Sequence, residues 1–102
     1  MSMGSTQPFR PTGTVSLAAG TTSASAALMG GGDSVVVTNT TGSLAFVRFG
    51  ADATVAASAS DMPVLAGSRV IIAANPLITY AAVVLASGTG LVLLTRGDGT
   101  FL

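Results

Sequence analysis

Eight side chains of this 102-residue chain carry charge at neutral pH: Arg10, Arg48, Arg69 and Arg96 against Asp33, Asp52, Asp61 and Asp98. The chain contains no His, Cys, Trp, Lys or Glu. Without His or Cys there is no imidazole base, no thiolate nucleophile and no zinc site of the usual kind. Without Lys there is neither a Schiff base nor a Walker-type phosphate loop. Four arginines balanced by four aspartates cannot form the basic stripe that a nucleic-acid backbone requires. The expectation is a protein that catalyses nothing and carries no cofactor or metal.

Three local patterns still invite a chemical reading. Gly30-Gly31-Gly32-Asp33 resembles a phosphate cradle, but no Lys follows it and no helix start supports it, so it reads as an inter-strand loop. Arg96-Gly97-Asp98 spells an adhesion tripeptide, and Gly97-Asp98-Gly99 is good turn chemistry, so it reads as a turn. Each aspartate adjoins an expected turn, where its carboxylate commonly bonds backbone two residues on. No DxDxD-like cluster offers converging calcium ligands. A glycosidase pair or a sugar-binding face would want aromatic platforms, and the chain has one Tyr and no Trp.

The elements that must position these residues are short and β-prone. Short β-prone runs occupy 14–18, 23–29, 34–39, 44–49, 64–65, 69–74, 77–86 and 91–96, with a weaker run at 53–58, and apolar and polar residues alternate over 14–18 and 23–29. Gly, Asn, Asp, Ser and Pro separate them at intervals of roughly ten residues, the spacing of a sandwich or barrel. Asn39-Thr40-Thr41-Gly42 and Ser87-Gly88-Thr89-Gly90 read as hairpin turns. No segment carries a helical stripe with a cap. The fold expected is a small antiparallel all-β sandwich, jelly-roll-like, of about eight short strands over residues 13–102. Phe46, Val47, Phe49, Val83, Val84, Leu91 and Leu93 are the expected core.

Residues 1–12 stand apart as an extended N-terminal arm. Pro8 and Pro11 fix the backbone on either side of Phe9 and Arg10, ruling out a helix and disfavouring a central strand. Phe9 offers an apolar anchor and Arg10 a five-donor fork, which suits an arm lying on a neighbouring subunit. Arg48 lies within Phe46-Val47-Arg48-Phe49 and has two readings. One is a solvent-facing arginine whose stem covers apolar surface. The other is an interface arginine paired with an aspartate of another subunit.

Charged residues make up 8% of the chain, against roughly 25% in an ordinary soluble domain. Zero net charge favours association, and interface cores are depleted in charge, so the chain reads as a self-associating subunit. A rival is a membrane span over the uncharged stretch between Arg69 and Arg96, as in a small phage membrane protein of holin type. Against it, Asn75-Pro76 and Ser87-Gly88-Thr89-Gly90 interrupt the stretch, and fully buried strands also read as unbroken apolar runs.

The stretch VVVTNTTGSLAFVRFGADATVAASASDMPVLAGSRVIIAA, with the later ASGTGLVLLTRGDG, resembles small all-β virion structural proteins of tailed bacteriophages, over roughly residues 34–99. That resemblance implies a non-enzymatic capsid decoration or cement protein on the particle exterior, made in the host cytoplasm. Its partner would be the major capsid protein or another virion protein. A head-fibre, neck or tail adaptor is the alternative within the same group.

Overall fold

A computed structural model describes residues 9–74 and 77–99. The described residues form eight strands and no helix: β1 Arg10–Ala19, β2 Ala24–Ala27, β3 Ser34–Asn39, β4 Ala45–Gly50, β5 Met62–Val64, β6 Arg69–Ala73, β7 Tyr80–Leu85 and β8 Gly90–Asp98. They build two four-stranded sheets, β1-β8-β3-β6 and β2-β7-β4-β5, in which every pairing is antiparallel. The first strand pairs with the last, the second with the seventh, the third with the sixth and the fourth with the fifth. That is the strand order of a jelly roll, a long hairpin rolled so that its two arms fill both sheets.

Alternation along each strand supplies the space between the sheets. Leu17, Val35, Val37, Val92 and Leu94 point inward from one sheet, and Ala45, Val47, Val64, Ala81, Val83 and Leu85 from the other. Side-chain period two places their neighbours on the outer faces. Val47 and Val83 are therefore core, as expected, and Phe49 packs against the core while half-buried. The expectation fails for Leu91 and Leu93, which lie one residue out of phase with buried Val92 and Leu94. Phe46 and Val84 likewise share the outer face of the second sheet.

Both expected hairpin turns are instead crossovers between sheets, since β3 and β8 lie in one sheet and β4 and β7 in the other. Turn chemistry reports that the chain reverses, not which sheet receives it. The apolar stretch weighed as a membrane span folds as β6, β7 and β8 with their connections. Among the described residues no helix is long and apolar enough to cross a membrane.

The arm boundary also moves. Arg10, Pro11 and Thr12 belong to β1, while residues 1–8 of the expected arm lie outside the described residues. β1 is an edge strand, where a proline is tolerated. The β1–β8 register shifts between Pro11 and Gly13, and the bulge aims Thr12 at the 28–33 loop. Its hydroxyl accepts from Gly31 N–H at 3.0 Å and lies 3.1 Å from the Arg96 carbonyl. Gly97 permits this closeness, because a Cβ there would strike the Arg10 carbonyl and the Phe9 ring.

Candidate functional site

In a jelly roll the connections gather at two ends. At one end lie 20–23, 40–44, 65–68 and 86–89, at the other 28–33, 51–61, 74 and 77–79 with the start of β1 and the end of β8. The first set contains no charged residue. All four aspartates belong to the second set, together with Arg10 and Arg96, and Arg48 leans towards it from β4. Arg69 opens β6 just inside the first.

The charge-free end is built around Asn39. In β3 it continues the inward phase of Val35 and Val37, and it is fully buried. Its amide donates to the carbonyls of Ser43 at 2.8 Å, Val64 at 3.0 Å and Leu65 at 3.3 Å. Its Oδ1 accepts from the Thr41 amide at 3.0 Å and hydroxyl at 2.7 Å. One side chain thus fixes both the 40–44 crossover and the end of β5. Backbone bonds knit the connections together: Leu85 N to Gly20 O, Ala86 N to Leu44 O, Thr40 N to Leu91 O and Gly67 N to Asn39 O. Gly67 has φ 71°, the conformation the third residue of a type II turn requires, so Leu65 is held at the turn's first position.

Two leucines stand out from this end. Leu65 is 69% exposed and Leu91 50% exposed, flanking the Asn39–Thr40 corner to which both are hydrogen-bonded. Apart from Leu44 and Leu65, the four connections of this end, 20–23, 40–44, 65–68 and 86–89, are made of Gly, Ala, Ser and Thr. An apolar centre, a neutral hydroxyl rim and a rigid backbone are what an interface core uses, since little entropy is lost on docking.

The opposite end is held by charge. Arg96 is 3% exposed and points inward. Its guanidinium donates to Gly32 O from Nε at 3.1 Å and Nη2 at 2.9 Å, and to Ile78 O. The Arg-Gly-Asp sequence is therefore strand rather than the expected turn, with its arginine withdrawn from solvent. Asp98 Oδ1 accepts from Asp33 N–H at 3.1 Å, closing the triglycine loop against its own chain.

Segment 51–61 is a loop, not the expected strand, and it folds back over the second sheet. Ala82 points outward yet is fully buried. Its register neighbours Ser25 and Arg48 bond the loop at Ala53 O and at Asp61. Ser23 Oγ accepts from Ala57 N–H at 2.8 Å. Arg48 thus pairs with Asp61 of its own chain at 2.9 Å; no aspartate from another subunit is needed. The Ser58 amide above all holds the Asp61 carboxyl below its ordinary value of 3.8; desolvation opposes it, and Arg48 adds to the lowering. The Thr54 hydroxyl and amide lower Asp52 in the same way. Among the described residues, Asp52 alone makes the bond to backbone two residues on, to Thr54 at 3.0 Å.

Of the candidate interface residues, Phe9 and Arg10 lie at the start of β1 and Arg48 in β4. Phe9 is half-buried, its ring against Gly97. Arg10 is exposed opposite Asp98 in the β1–β8 register, and Arg48 serves the 51–61 loop. Asn39 and Leu65 carry no expected role from the sequence and Leu91 reads there as core, although the inward phase 35, 37, 39 marks Asn39 as buried. Among the described residues no three potential metal ligands converge. No family model matches the chain, and no curated protein or solved structure matches it.

Proposed function

We propose that this protein is a non-enzymatic structural component of a tailed-phage virion, a decoration or cement protein that docks on the shell through its charge-free end. The observation that carries the reading is the placement of charge: a neutral, hydrogen-bonded end bearing Leu65 and Leu91, with every carboxylate at the opposite end. Burying Leu65, Leu91 and their surroundings against capsid protein stabilises the contact at about 25 cal/mol per Å² of apolar area. No carboxylate has to be desolvated there, and Arg69 at the start of β6 is the one charge beside these connections, which keeps the cost of docking low. The fold alone does not carry this reading, since jelly rolls serve many functions.

The test is a quantitative mass-spectrometric inventory of purified particles of the phage that encodes this chain. Copy numbers comparable to the major capsid protein support a cement role. A handful of copies supports the neck, fibre or tail alternative, and absence from particles removes the virion reading.

A further inference from the structure

The sheet edges are guarded unequally. β5 is three residues long and contains Pro63, β2 is four residues of Ala and Ser, and β1 begins with Pro11 and a bulge. Short length, proline and bulges are the devices that keep edges from pairing with other chains. β6, the remaining edge, reads Arg69-Val70-Ile71-Ile72-Ala73 and has neither proline nor bulge.

Its hydrogen-bonding phase follows from the ladder ends. Asn39 N–H bonds Ser68 O, and Ala74 N–H bonds Asp33 O. Antiparallel hydrogen-bonded pairs recur every second residue, so Val70 and Ile72 turn their backbone groups towards β3. Ile71 consequently directs its own N–H and C=O away from the sheet, as does Ala73. Its half-buried side chain sits on the outer face opposite Val36, itself 5% exposed.

We infer that β6 pairs with β6 of a second copy, antiparallel about a two-fold axis through Ile71, joining two four-stranded sheets into one of eight. In that register Ile71 exchanges both backbone bonds with Ile71 of the second copy, and their side chains lie side by side. Arg69 falls opposite Ala73 of the second copy rather than opposite another arginine. The two arginines are then about 13 Å apart along the strands, beyond the screening length of physiological salt. The pairing is isologous and closes at two, leaving no free β6 edge. It follows from sheet geometry and does not depend on the virion reading.

A charge swap at position 71 tests it, because only a two-fold contact places that residue against itself. The wild-type chain, Ile71→Lys and Ile71→Glu are studied by sedimentation, each alone and the two variants mixed, with circular dichroism confirming the β fold. The expected result is a wild-type dimer, a dissociation constant at least about tenfold weaker for each variant alone, and recovery in the equimolar mixture. A wild-type monomer, or variants that dimerise unchanged, overturns the inference. So does a mixture of two folded variants that stays monomeric, which would point to β6 pairing elsewhere, such as with β1. Should the variants fail to fold, amide exchange on the wild type decides. Ile71 N–H protection that fades on dilution supports the pairing, and protection independent of concentration contradicts it.

Discussion

The two ends of the sandwich solve the same problem with different chemistry. Each must tie chain crossovers together over an open end of the core. The charge-free end does so with a neutral amide, Asn39, that makes five bonds and is fully buried. The other uses a guanidinium, Arg96, on the carbonyls of Gly32 and Ile78, together with the Asp98 and Asp61 carboxylates. A neutral hub leaves no field at the surface above it, so that surface can be buried cheaply. An ionic hub and its carboxylates favour water. In the proposed function, docking falls to the neutral end and contact with solvent to the charged one.

The largest expected effect is at the neutral hub. Asn39→Ala leaves the Thr41 amide without its acceptor and takes a donor from the Val64 and Leu65 carbonyls, while the Ser43 carbonyl keeps the Thr41 hydroxyl, at about 1–3 kcal/mol for each buried group left unpaired. Denaturant unfolding should show a loss of about 3–5 kcal/mol, a large share of the stability of a domain this size. Arg96→Met keeps the apolar stem but strands the Gly32 and Ile78 carbonyls, which sit in loops that water can reach. A loss of about 2–3 kcal/mol is expected. If Arg96→Met proved costlier than Asn39→Ala, the neutral end would not be the more rigid of the two.

These residues also mark how far the sequence could be read. The all-β class, eight strands and their approximate positions are legible because alternation and turn residues are local signals. The inward side of β8 is not, because Leu91, Val92, Leu93 and Leu94 are all apolar and period two then carries no phase. Pairing partners are not legible either: Thr40-Thr41-Gly42 forms a turn whether the next strand joins the same sheet or the opposite one. The charge-free end is hidden in the sequence for the same reason. Its four connections lie far apart in the chain, and only the rolled topology brings their shared lack of charge together. Arg48 was singled out as the strand's one charged residue, but its partner Asp61, thirteen positions on, depends on the path of the 51–61 loop.

Smaller effects should come from that loop. Arg48→Ala removes the exposed partner of an ion pair whose aspartate keeps the Ser58 amide, so the unfolding midpoint should barely change, while amide exchange in 51–61 quickens. A marked drop in the midpoint would mean the pair supports the sandwich itself. The smallest effect is in pH. Asp52 and Asp61 have folded values below 3.8, so their contribution is fully present above that value and disappears as pH falls through the lower folded value. Carboxyl-carbon NMR should show both titrating below Asp in an unfolded peptide, with the loop loosening only in that acidic window. Loosening near neutral pH would contradict the assigned anchors.

The orientation of the domain on a particle tests the account most directly. A cryo-EM reconstruction of the decorated particle, fitted with the sandwich, identifies which end meets the shell. The account predicts that the 40–44 and 65–68 connections, with Leu65 and Leu91, lie buried against capsid protein while Asp33, Asp52, Asp61 and Asp98 face solvent. A reconstruction in which the carboxylate-bearing end contacts the shell and Leu65 faces water would contradict it.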